Sequence, residues 1–163
     1  MASDVLSSAA VVRVGGALAN AGLSSEIVEL PGAARTAKLA AEFLGCEVAQ
    51  IANSLVFRGA TSNMAILVMS SGARRVDLKK LEQVVGEPIA KADAEFVRAA
   101  TGFAIGGVAP VGHTGELKRF VEVSLSRHAD IWAAAGHPNT VFRLGYADLL
   151  RITGGQAVDV AEA

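Results

Sequence analysis

Between Thr101 and His113 the chain reads Thr-Gly-Phe-Ala-Ile-Gly-Gly-Val-Ala-Pro-Val-Gly-His, four glycines and a proline set among apolar residues. No residue from Ala99 to Gly112 carries a charge. Glycine lets backbone take left-handed angles or press close to another group. Pro110 fixes its own φ and removes a donor, which stiffens what the glycines leave free to bend. The stretch is too short and too glycine-broken to span a membrane, which takes roughly 20 apolar residues. It predicts a buried, sharply turning loop, and such loops often wall small-molecule pockets.

The rest of the chain gives that loop a core to sit on. With 163 residues, 52% hydrophobic and 19% charged, it predicts one domain over residues 1–163 and argues against disorder. No linker or repeat is evident, and Pro31 and Pro88 read as element boundaries. The start, Met-Ala-Ser-Asp, lacks the basic and apolar regions of a secretory signal. The lone Cys46 excludes an internal disulfide, fits a reducing cytoplasm, and reads as a structural thiol after a helix end at Gly45.

A helical period places Val5, Ala9, Val12 and Leu18 on one face of a first helix near residues 5–21. Alternation predicts a strand at 26–30. Thr36 can cap a helix to Leu44, with Gly45 as its left-handed terminator. Strands follow at 51–57 and 64–69, joined by a turn at 59–63. The second of these, Met-Ala-Ile-Leu-Val-Met, is apolar throughout and predicts a central strand covered on both faces. Asp77 and Asp93 cap helices over 78–85 and 94–100. Beyond the glycine loop come strands at 117–123, 131–134 and 140–144 and a helix at 146–152. Strands and helices mix without strict βαβ alternation, which predicts an α/β protein of the α+β type, a mixed β-sheet flanked by helices.

Several chemistries are excluded. No Gly-x-Gly-x-x-Gly follows a strand, no Gly-Lys-Ser/Thr forms a P-loop, and no Gly-x-Ser-x-Gly elbow is present. His113, His128 and His137 lie far apart with no ligand-spaced partners, so no metal or other cofactor is expected. The net charge of −1 argues against an autonomous nucleic-acid binder. The one basic cluster, Arg74, Arg75, Lys79 and Lys80, reads as a solvated helix face or as a phosphate contact. A tRNA-binding chain of this charge would grip only the acceptor end or borrow affinity from a partner. Neither DNA nor a membrane is expected as a partner.

Gly106-Gly107-Val108-Ala109-Pro110 resembles the Gly-x-x-x-Pro loop of the YbaK/ProX family, freestanding relatives of the editing domain inserted in bacterial prolyl-tRNA synthetases. The likeness extends in order through 35–41, 50–57, 75–81, 102–113 and 132–138, ending at Thr153-Gly154. The resemblance implies a mixed sheet packed with helices. It also implies a cytoplasmic hydrolase of translation fidelity, an aminoacyl-tRNA deacylase that clears a mischarged small amino acid (Ala, Ser or Cys-like) from tRNA. The acceptor end of tRNA-Pro would be its partner, and prolyl-tRNA synthetase a further one.

An aminoacyl ester is already activated, so its hydrolysis needs an oriented water and stabilisation of the developing oxyanion. Backbone N–H groups in a glycine turn can supply the second need without a catalytic side chain. Gly106 and Gly107 are the expected donors, and Gly106 to Pro110, through Val108 and Ala109, the wall that measures side-chain size. By the resemblance, the loop positions the aminoacyl end with help from the tRNA's terminal hydroxyl.

One position departs from the pattern. Matching Ser54-Leu55-Val56-Phe57 puts Asn53 where most editing members carry a lysine. Asparagine keeps a donor and an acceptor but no charge, an expected loss of about 1 kcal/mol, or about tenfold. Three outcomes stay open: Asn53 orients carbonyl or water itself, a cation such as Lys38 or Arg58 replaces the charge, or the pocket binds without turnover. Ser54 reads as a hydrogen-bonding residue near the substrate, His137 as a turn residue near the pocket, and His113 as a pocket-lining candidate. Trp132 reads as core rather than as a stacking platform. Arg35 and Thr36 begin a helix whose N–H groups could face an anion, although capping alone explains Thr36.

Overall fold

The computed structural model describes residues 4–34 and 36–163. It contains helices α1 (Ala9–Asn20), α2 (Ala37–Leu44), α3 (Leu78–Val85), α4 (Ala94–Thr101) and α5 (Tyr146–Thr153). The strands are β1 (Val28–Glu29), β2 (Ile51–Gly59), β3 (Ala65–Ser71), β4 (Ile89–Lys91), β5 (Leu117–Glu122), β6 (Ile131–Ala134), β7 (Thr140–Leu144) and β8 (Gln156–Val158). They form one eight-stranded mixed sheet in the order β1-β7-β6-β2-β3-β5-β8, with β4 on β2. The expected mixed sheet flanked by helices is what is observed.

Strand β3 lies inside the sheet between β2 and β5, and every one of its residues is buried. Its alternate side chains feed two layers, which is why its sequence is apolar without interruption. Leu67 and Met69 pack with Val14 and Leu18 of α1, Val97 of α4, Leu149 of α5 and the glycine loop. Ile66 and Val68 pack on the opposite face with Leu81 of α3 and Phe120. A smaller cluster joins Ala40 and Ala41 of α2 to Ile51 on that second face.

Local signals act as expected at the helix ends. The side chains of Ser8, Thr36, Asp77 and Asp93 each accept a backbone N–H in the first turn of the following helix. Gly45 closes α2 at φ +66. The face of α1 differs from its expectation. Val11, Val14 and Leu18 are buried, an i, i+3, i+7 stripe, whereas Val12 is 59% exposed. The strand at 26–30 shrinks to two residues, Val28 and Glu29, which pair with β7, while the Leu30 N–H donates to the Asn139 carbonyl just before that strand.

The sheet is interrupted in one place. Along one edge β2 pairs with β6 at Ile51 and Ala52, and with β4 from Phe57 to Gly59. Residues 53–56 therefore have no strand on that side. Two of these four turn their N–H and C=O into the gap, since peptide groups alternate along a strand.

Candidate active site

The gap beside β2 is the floor of a cleft of about 280 Å³, small for a ligand pocket. Asn53, Ser54 and Leu55 line it from β2, and Trp132, Ala133 and Ala134 from β6 where the two strands part. The start of α2 forms a second wall through Ala34, Thr36 and Ala37. Gly72 lets that helix close over the sheet, since a Cβ there would lie 2.5 Å from the Ala37 Cβ. The glycine loop forms the third wall through Ile105, Gly106 and Val108.

The loop reaches the cleft through a β-turn. The Gly107 N–H donates to the Ala104 carbonyl at 3.0 Å, with Gly106 at φ +89 in the third position, as a type II turn requires. Gly107 is then pressed on the β6–β7 turn, where a Cβ would lie 2.9–3.0 Å from the backbone of His137. The N–H groups of Gly106 and Val108 have no partner among the described residues. The expectation for Gly107 as an oxyanion donor is therefore corrected. Its amide is occupied inside the turn, and Val108, which lines the cleft, supplies the second free donor instead.

None of the described residues lining the cleft is ionisable. Its polar groups are the Asn53 amide, the Ser54, Thr36 and Thr140 hydroxyls, and main chain. Ser54 donates to Met69 Sδ at 3.3 Å and has no base beside it among these lining residues. Thr36 Oγ1 accepts the Leu39 N–H at 3.1 Å, which leaves the N–H groups of Ala37 and Lys38 as the open, electropositive end of α2. The Asn53 side chain makes no hydrogen bond among the described residues. Its cross-strand neighbour Ser70 is buried, with a hydroxyl that also lacks a partner among them.

The structure thus gathers Asn53, Ser54, Thr36, Gly106 and Val108 around one cleft. It does not bring Ala109, Pro110, His113 or His137 to it. Past Val108 the loop dives into the core, where Ala109 is fully buried. His113 Nε2 donates to the Ala109 carbonyl at 2.7 Å, which turns the ring away from the cleft. His137 supports the loop from below, with Nδ1 accepting the Asn139 N–H at 3.0 Å. Of the two cations considered as substitutes for the missing lysine, Arg58 bonds to Asn63 Oδ1 at 3.3 Å, and neither it nor Lys38 lines the cleft. Arg35 lies outside the described residues.

Trp132 packs against the cluster of Ala40, Ala41 and Ile51, as its core reading expects, and also borders the cleft. Ile105, 57% exposed at the tip of the loop, was not singled out. An apolar residue immediately before Gly-Gly was its only signal. In the basic cluster, Arg74 donates to the Glu162 carbonyl at 2.8 Å and Lys80 to the Ala161 carbonyl at 2.9 Å. Both therefore help dock the C-terminal segment. Burial raises the Cys46 thiol above its ordinary value, as suits a structural cysteine.

Comparison with known proteins agrees with this geometry. The family model described as "Aminoacyl-tRNA editing domain" matches residues 32–152. The uncharacterized protein YwhH of Bacillus subtilis (strain 168) is 32% identical over 120 residues, 74% of this chain and 76% of that protein. A solved structure of a candidate trans-editing enzyme for prolyl-tRNA synthetase is 44% identical with a TM-score of 0.88, covering 96% of this chain and 99% of that one. A scaffold from computational epitope backbone grafting is 43% identical with a TM-score of 0.89, at the same coverage.

Proposed function

The chain belongs to the aminoacyl-tRNA editing domain family, and from that premise we propose that it is a single-domain deacylase acting in trans in the cytoplasm. In this reading it hydrolyses the ester between a small amino acid, such as alanine, serine or cysteine, and the terminal ribose of tRNA-Pro. The observation that carries it is the 280 Å³ cleft, where Asn53 and the free amides of Gly106 and Val108 meet without any described ionisable side chain. Such a site suits a substrate already activated for attack. The 44%-identical neighbour, described as acting for prolyl-tRNA synthetase, supports the prolyl assignment, and association with prolyl-tRNA synthetase follows as part of the proposal.

The chemistry balances without a protein base. A water oxygen bonds to the carbonyl carbon, and negative charge moves to the carbonyl oxygen, where preorganised N–H dipoles stabilise it. The carbon–oxygen bond to ribose then breaks. The water's proton passes through the vicinal ribose hydroxyl to the departing oxygen, giving free amino acid and tRNA. Asn53 holds the water or the carbonyl. The positive end of α2 adds to the field that favours the oxyanion.

The test is a panel of mischarged tRNAs. Release of alanine, serine or cysteine from tRNA-Pro, slowed at least about tenfold by Asn53→Ala, is the expected result; no release from any member of the panel overturns the reading. Asparagine at the lysine position also favours a second reading, a relative that binds aminoacyl-tRNA without efficient turnover. Asn53→Lys separates the two. Faster release in that variant identifies a weakened editor, and slower release an asparagine adapted to its task.

A further inference from the structure

Two residues beyond Val108, which borders the cleft, Pro110 borders a second hollow of about 590 Å³. Its walls include His113, Arg119 of β5, Asn20 at the end of α1 and Arg151 of α5, and no acidic residue lines it among those described. The half-buried guanidinium of Arg119 makes no ion pair among the described residues. Its Nε and Nη2 approach His113 Nδ1 at 3.3 and 3.2 Å, and Nη1 approaches the Leu117 carbonyl at 3.5 Å. His113 is a neutral acceptor there. Burial, with the charges of Arg119 and Arg13, pushes its pKa down to about 4, and its Nε2 proton goes to Ala109.

Arg119, half-buried, meets only uncharged acceptors among the described residues. On the facing wall Arg151 keeps one nitrogen 3.1 Å from Asp148 and donates another to the Ala21 carbonyl. A planar carboxylate would satisfy one guanidinium fork. A tetrahedral phosphoryl group, diester or monoester, holds its oxygens in more than one plane and so can accept from more than one side chain.

We propose that this hollow is an oxyanion site for a phosphoryl group, attracted by the charge of Arg119, unpaired among the described residues, with Arg151 and the Asn20 amide also lining it. It is separate from the acyl cleft and lies on the other side of the same loop. Because Arg119 also orients His113, and His113 holds Ala109, an occupant is felt along the loop that walls the cleft. A phosphodiester of the tRNA strand and a free phosphorylated small molecule share this chemistry. Only the first source rests on the deacylase reading.

Inorganic phosphate titrated into the full chain at about pH 7, with ionic strength held constant by sodium chloride, tests the site without any turnover. NMR should show the His113 ring and the Gly112 and Gly154 amides shifting saturably. Arg119→Gln and, independently of His113, Arg151→Gln should each weaken phosphate about tenfold, as loss of a charge-assisted bond implies. Shifts that never saturate, that survive both substitutions, or that centre on Asn53 overturn the proposal. A second arm identifies the source. Phosphate that raises the KM for charged tRNA marks a tRNA phosphodiester as occupant, and phosphate that binds without changing KM marks a free phosphoryl compound; both retain the site.

Discussion

The two halves of the glycine loop are built to opposite rules. The front half, Ile105 to Val108, meets the cleft with an exposed tip, and nothing described accepts the N–H groups of Ile105, Gly106 and Val108. In the back half and its entry, side chains tie down three carbonyls. Arg13 donates to the carbonyls of Gly112 at 2.7 Å and Gly102 at 2.9 Å and lies 4.6 Å from the Phe103 centroid. His113 holds the Ala109 carbonyl, and Thr101 Oγ1 donates to the Val97 carbonyl at 2.7 Å. The back is anchored through its carbonyls, and that anchoring holds the front in place. Preorganisation of this kind is what makes a main-chain dipole useful to a transition state.

Breaking the back half should show first as stability. The folded pKa of His113, about 4, lies below its ordinary 6.5. As pH falls through 6.5 the unfolded chain binds the proton first, so the stabilisation is complete above that value. It drains away until the folded ring also protonates near 4, a loss on the order of 3 kcal/mol. Urea titrations between about pH 4 and 7 should show this slope, and His113→Gln should flatten it.

Next in size is Gly107→Ala, which pushes the front half off the β6–β7 turn. A displacement of about 1 Å can cost about 100-fold in rate, so kcat/KM should fall by that order while thermal unfolding of the sheet changes little. Arg13→Met leaves two carbonyls without their donors, and the midpoint of chemical denaturation should report a loss of about 2 kcal/mol. Gly106→Ala forces an L-residue to φ +89. It should cost about 1–2 kcal/mol of stability and reduce deacylation with it.

The smallest effect sharpens the picture of Asn53. The Ser70 hydroxyl is buried without a partner among the described residues, so Ser70→Ala should be neutral or stabilise by up to about 1 kcal/mol. A fall in kcat at unchanged KM would instead show that this hydroxyl engages Asn53 during turnover.

How much of this was readable in the chain tracks the range of the forces involved. Caps at Thr36, Asp77 and Asp93 act over three residues, and the uniformly apolar β3 reports its two-sided burial directly. The turn in the glycine loop is legible for the same reason, whereas Asn53 is singled out only by the resemblance. Which face of the loop each residue shows was not legible. That is decided by His137 pressing on Gly107 and by His113 turning back to Ala109, one contact distant in sequence and the other dependent on a tautomer. Strands β4 and β8, three residues each, carry too little pattern to see. Trp132 packs on the core as read, and its second place at the cleft is not legible because nothing in its neighbours shows that β6 leaves β2 one residue later.

The missing rung between β6 and β4 has a consequence for how such a protein changes its taste. Short of a change to proline, no point substitution deletes a peptide N–H, so these donors are inherited with the backbone itself. What can vary is the upholstery: Ala34, Ala37, Ala134 and Ile105 could each grow or shrink by a few methyl groups. Selectivity among acyl groups can therefore be retuned while the chemistry beneath it stays put.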